Sequence, residues 1–165
     1  MTSPDPFFVQ LCTRAVRPAL GVLALPADGA FGVNITLGTA AKESGGRFLA
    51  QWPTGPALGL WQMEPATHDD VWDNFLHYRP DLAARVSSLL VPGRDRTDQL
   101  VWNLQYAAAM CRLRYYRVAA PRPDGTDVNA LADYWKAHYN TPEGAGKASE
   151  FVTAFKAHIG DPFHA

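Results

Sequence analysis

Apolar positions in this chain recur at three- and four-residue intervals, and no stretch of any length alternates with the two-residue period of a strand. The strongest pattern covers 97–118. There Val101, Leu104, Ala108, Cys111, Tyr115 and Val118 form one stripe, and Trp102, Tyr106, Ala109, Leu113 and Tyr116 form a second beside it. Two apolar faces predict the central helix of a bundle. Upstream, Asp5 to about Ala24 predicts a helix with Phe7, Phe8, Leu11 and Ala15 on a common side, kinked or split at Pro18. Pro26, Asp28 and Gly29 predict a turn. Ala30 to Ala41 carries no charge and predicts a buried helix stopped by Gly45 and Gly46.

Further helices are predicted from Thr67, as cap, to Tyr78, from Asp81 to Leu90, from Asp127 through Leu131, Trp135 and His138, and from about Ala145 to His158. Pro92-Gly93 breaks the chain between two of them. Gly45 to Gly59 reads as a loop with room for a short hairpin, and so long a loop inside a domain points to function. The predicted fold is all-α, or α with a minor β-hairpin. It is a single domain over 1–165, with a helix in 1–25 packed on the rest.

Composition agrees with a folded globule: 47% of residues are hydrophobic and 12% aromatic, which excludes disorder. Fifteen basic and sixteen acidic side chains nearly cancel, so charge marks no nucleic-acid partner. Arg112, Arg114, Arg117 and Arg122 do cluster, and read as a solvated helix face. Two cysteines, Cys12 and Cys111, give neither a disulfide framework nor metal-ligand spacing, and both read as buried. The N-terminal stretch is interrupted by Asp5, Arg14, Arg17 and Pro18. No export signal or membrane span is expected, and synthesis in the cytoplasm is.

Within this frame Glu43 stands out. It is the first acidic group after the apolar run and lies in the last helical turn, where the helix dipole disfavours a negative charge. Desolvation would add to that effect and leave a proton available near neutral pH. Downstream lie Gly59-Leu60-Trp61-Gln62-Met63-Glu64-Pro65 and, much later, Ala137-His138-Tyr139-Asn140-Thr141 with Gly144 and Gly146.

In this order on a helical frame, the three segments resemble the motifs of the lytic transglycosylase and goose-type lysozyme superfamily. Those motifs are a Glu-Ser ending a buried helix, a Gly-Leu-Met-Gln-like turn and a Tyr-Asn-x-Gly-like element. The likeness covers roughly Ala30 to Lys156 and implies a lysozyme-like helical domain built around a central buried helix. It implies Glu43 as catalytic acid and base, Ser44 as a hydroxyl beside the glycan, and Gln62 as a substrate contact or part of the glutamate pocket. It further implies Tyr139 approaching the carboxyl group and Asn140 supporting that turn. Trp61 replaces the usual methionine, and a stacking role on a sugar face would accommodate it. The third motif departs furthest, reading Tyr-Asn-Thr-Pro-Glu-Gly.

The implied activity is cleavage of peptidoglycan between N-acetylmuramic acid and N-acetylglucosamine with 1,6-anhydro products. The implied partner is the glycan strand; neither cofactor nor metal is called for, and a monomer is expected. The format is similar to a bacteriophage endolysin or virion-associated lysin, made in the host cytoplasm. It would reach the wall after holin-type release or from the virion.

Chemistry alone sets the minimum: protonating a poor leaving oxygen needs one carboxylic acid of raised pKa, and hydrolysis with water usually needs a second carboxylate. Glu64, Asp69, Asp70 and Asp73 are available for that second role. Among aromatics, Trp61 is the first expectation for the cleft, Trp52 the second, and Trp135 belongs to the core. His68, Asp69, Asp70 and His77 do not form a metal set, and a peptidase would want a zinc triad or a Cys-His pair that the chain lacks. A non-catalytic glycan-binding or phage structural module of the same fold remains the alternative from a different class.

Overall fold

The computed structural model describes residues 4–141 and 143–164. Met1 and Pro142, which fall in the N-terminal stretch and the third motif, lie outside the described residues. Helices carry the fold, as expected, and no strand forms among the described residues. Helix α1 (Pro6–Leu11) starts at Asp5, whose carboxylate accepts the Phe7 N–H at 2.9 Å. A π-helical turn, Cys12–Val16, leads without a break into α2 (Arg17–Leu23). Pro18 has no N–H to give, and its ring would strike the carbonyl one turn back; the wider turn relieves that clash. The predicted kink is therefore a bulge.

Helix α3 (Gly29–Glu43) is buried on every side from Phe31 to Ala41. Such a helix runs through the core rather than along its surface. Its buried Asn34 is satisfied: Nδ2 donates to the Gly125 and Phe163 carbonyls at 2.8 Å each, and Oδ1 accepts the Phe163 N–H. Helix α4 (Pro65–Asn74) begins with proline in its first turn and Glu64 as the extended capping residue, so Thr67 lies inside the helix rather than at its cap. A 3₁₀ turn, Leu76–Tyr78, and α5 (Pro80–Ser87) follow.

The predicted long helix over 97–118 is two helices, α6 (Gln99–Trp102) and α7 (Leu104–Tyr116). Asn103 makes the break. Its Oδ1 accepts the Tyr106 N–H as an N-cap, while its Nδ2 donates to the Leu89 carbonyl at 2.8 Å. Trp102, expected on an apolar stripe, is thereby left 49% exposed. Past the break the prediction holds, with every residue from Tyr106 to Leu113 buried. Helix α8 (Val128–Trp135), capped by Asp127, continues as a π-helical segment, Lys136–Asn140, and α9 (Ala148–His158) packs on α3 and α8.

A single apolar cluster runs from Phe8 to Ile159 through all the main helices. The predicted loop after α3 forms isolated antiparallel bridges, Ala50 with Leu58 and Leu58 with Met63, in place of a hairpin. Gly59 anchors it: at φ 72°, an added Cβ would lie 2.0 Å from the Leu100 carbonyl oxygen. Only glycine permits that approach to α6.

The arginine cluster does not form a solvated face. Arg112 is 0% exposed and donates Nε–H to Asp28 Oδ1 at 2.9 Å, Arg117 pairs with Asp70, and Arg122 lies 3.6 Å from Asp28. Among the described residues no helix is long and apolar enough to cross a membrane.

Candidate active site

A chain of hydrogen bonds to backbone carbonyls draws the three sequence segments together. Trp61 donates Nε1–H to the Thr36 carbonyl of α3 at 2.8 Å, so the turn is fixed to the core helix. Tyr139 donates its hydroxyl to the Trp61 carbonyl at 2.7 Å, which fixes the third segment to the turn. Arg114 of α7 donates to the Tyr139 carbonyl and lies 4.1 Å from the centre of the Tyr139 ring. Segments more than 75 residues apart in sequence thus share one wall. Between them opens a cleft of about 610 Å³, lined by Glu43, Gln62, Glu64, Arg114, Tyr139 and Asn140 together with Trp52 and Phe48 of the loop. That volume is ordinary for a site that takes an organic ligand.

Glu43 is the last residue of α3, as predicted. Ser44 is the C-cap, and Gly45, at φ 57°, turns the chain away with its N–H on the Ala40 and Ala41 carbonyls. The side chain enters the cleft and accepts the Trp135 indole N–H at 2.9 Å. Burial pushes the Glu43 carboxyl above the usual carboxylate range, and the Trp135 bond, Lys42 and Arg114 only partly offset it. A carboxyl in this position keeps a proton further toward neutral pH than a solvated one.

Of the remaining predicted residues, Gln62, Tyr139 and Asn140 reach the cleft and two do not. Trp61 is 1% exposed, its ring packed in the core and its N–H spent on α3, so it cannot cover a sugar face. Ser44 is buried beneath the helix end. Its hydroxyl donates to the Ala40 carbonyl at 3.2 Å and accepts the Gly46 N–H at 3.1 Å, a capping role rather than a substrate contact. The second-choice aromatic, Trp52, is the one that stands over the cleft, 76% exposed. Tyr139 is buried with its hydroxyl committed to Trp61, and Asn140 accepts Lys136 Nζ at 2.8 Å, which supports the turn.

Among the proposed second carboxylates only Glu64 lines the cleft. Asp70 is taken up by Arg117 and Asn74, and Asp69 by His68. His68 is itself buried. Trp72 donates to the Tyr106 hydroxyl at 2.8 Å, which leaves that hydroxyl free to donate to His68 Nε2 at 2.6 Å, so Nδ1 bears the proton facing Asp69. Burial lowers the His68 pKa in keeping with that neutral form. This network braces α4 against α7.

Three contributors carried no signal in the sequence. Trp135 was assigned to the core and is there, but its N–H holds the acid. Arg114 belonged to a presumed surface cluster. Lys136 clamps the third segment through Asn140 Oδ1 and the Thr141 and Gly144 carbonyls.

Two of the four non-glycine residues of positive φ among the described residues, Gln62 at φ 46° and Thr141 at φ 75° and ψ 153°, line the cleft, while Ala24 and Ala27 lie outside it. Left-handed conformations are disfavoured for such side chains, above all β-branched ones, and tend to be kept where a site requires them. No protein-family model matches the chain, and neither does any curated protein or solved structure.

Proposed function

We propose that this protein cleaves the glycan strands of peptidoglycan as a lytic transglycosylase, with Glu43 as its one indispensable acid. The observation that carries the reading is a carboxyl group of raised pKa, fixed by the Trp135 N–H, inside a cleft it shares with Gln62, Tyr139 and Asn140.

In the first step Glu43 gives its proton to the glycosidic oxygen as the bond from that oxygen to the muramoyl anomeric carbon breaks. In the second, the Glu43 carboxylate takes the proton of the muramoyl 6-hydroxyl as O6 closes on the same carbon. The acid is restored and a 1,6-anhydro end is left, with no water consumed. The polar wall of Gln62, Asn140 and Thr67 suits hydroxyl and acetamido groups, and Trp52 offers an aromatic face. The site of action is the bacterial cell wall, in the manner of a phage lysin.

A second reading, hydrolysis with Glu64 activating water, is favoured by the presence of Glu64 in the same cleft. Mass spectrometry of digested sacculi separates the two. Anhydro-muropeptides support the transglycosylase, whereas reducing ends alone transfer the enzyme to the hydrolases. Glu43→Gln should abolish either product; undiminished cleavage by that variant would overturn both readings. Binding without any cleavage by the unaltered protein would leave a glycan-binding module.

A further inference from the structure

Arg114 is the only basic side chain lining the cleft among the described residues. Its neighbours in sequence each face a carboxylate, Arg112 and Arg122 sharing Asp28 and Arg117 pairing with Asp70. Arg114 has no carboxylate within 4.0 Å among the described residues. It is nevertheless held, with one N–H bond to the Tyr139 carbonyl and its guanidinium carbon 4.1 Å from the centre of the Tyr139 ring. A guanidinium has five N–H donors, and the rest of this fork is left for whatever occupies the cleft. A half-buried, immobilised cation with no carboxylate in contact is costly, and a ligand anion would relieve that cost.

Building on the peptidoglycan reading, we propose that Arg114 receives a carboxylate carried by the muramoyl residue and so distinguishes muramoyl strands from neutral glucosaminyl polymers. The hydroxyl and acetamido groups of such strands are neutral. Their anionic groups are carboxylates at one place, on the lactyl ether when it is bare or on the peptide stem when it is substituted. A planar fork fixed on a ring is suited to a carboxylate, which it can hold through two parallel bonds. The same contact acts on the chemistry, because an anion at Arg114 cancels the cation that draws the Glu43 proton affinity down.

The test measures binding in the Glu43→Gln background, where no turnover occurs. It uses muramoyl oligomers in three forms: stems intact, stems removed by an amidase to bare the lactyl carboxylate, and every carboxylate methyl-esterified. Arg114→Met, which keeps an apolar chain over Tyr139, should weaken binding of at least one anionic form by about tenfold, the loss of one charge-assisted contact. The form that suffers identifies the carboxylate as stem or lactyl. Esterified oligomers should bind both proteins equally, and Arg114→Lys should recover part of the loss.

Equal weakening on all three forms would overturn the proposal and leave Arg114 a brace for Tyr139. No weakening on any form would overturn it as well. Should the parent protein bind none of the oligomers, the peptidoglycan reading itself falls.

Discussion

Trp135 and Glu43, 92 positions apart, meet through an indole N–H on a carboxylate oxygen at 2.9 Å. The bond favours the ionised carboxyl while burial favours the protonated one, and burial prevails. Trp135→Phe keeps most of the ring volume and deletes the donor. The Glu43 pKa should then rise further, and under the proposed function the alkaline limb of glycan cleavage should move to higher pH with it. Carbon NMR titration of the Glu43 carboxyl reads the same shift without relying on activity; an unmoved midpoint would show that the indole does not tune the acid.

Glu43→Gln should stabilise the fold in a pH-dependent way. The unfolded carboxyl titrates near 4.5 and the folded one higher. Between those two values the folded state binds more protons, so the stabilising contribution of Glu43 is complete below 4.5 and is lost as pH rises through the folded pKa. Glutamine keeps an oxygen for the Trp135 N–H and carries no charge to desolvate. The variant should therefore melt higher than the parent at about pH 8 and no higher at about pH 4. Thermal denaturation at both pH values checks this, and a pH-independent difference would contradict the burial argument.

Helices were legible in the sequence wherever their apolar period was unbroken, and Glu43 was legible because the first acidic group after a neutral run, set at a glycine stop, is conspicuous. What was not legible rests on long-range geometry. Asn103 interrupts the strongest helical pattern by capping a helix with its own side chain, an event that spacing does not encode. Trp61 and Trp52 exchange roles because the side chain nearer the motif is the one that fastens it to α3. Arg112 and Arg114, two positions apart on one helix, end in opposite circumstances, one buried on Asp28 and the other facing the cleft. Sequence spacing assigns them to different faces but cannot say what each face meets.

Trp52→Ala tests the aromatic wall. With the ring 76% exposed, little packing is lost, and stability should change by no more than about 0.5 kcal/mol. Binding of glycan oligomers should weaken by roughly threefold to tenfold, the contribution of one aromatic face. Isothermal titration in the Glu43→Gln background measures it. Unchanged affinity would remove Trp52 from the site.

Two of the ion pairs tied to the arginine cluster, Arg112 with Asp28 and Arg117 with Asp70, should differ sharply in what they contribute. Arg112 is 0% exposed and its main partner, Asp28, is 12% exposed, whereas Arg117 and Asp70 are 26% and 44% exposed. Water screens the second pair and is largely excluded from the first, which is made through Asp28 Oδ1 and leaves the buried Asp28 Oδ2 and Arg112 Nη1 without a hydrogen-bond partner. Asp28→Ala strands a buried guanidinium between Phe31 and Tyr116 and should cost about 3–5 kcal/mol. Asp70→Ala should cost no more than about 1 kcal/mol. Replacing Asp28 and Arg112 together, as Asp28→Asn with Arg112→Met, should recover much of the loss, because no fully buried charge is then left without a partner and Arg122, which also loses Asp28, is 33% exposed to water. Urea denaturation of the three variants settles the ordering. Equal losses for Asp28→Ala and Asp70→Ala would mean that water reaches the Arg112 pair, and a double variant no better than Asp28→Ala would assign the cost to packing instead of charge.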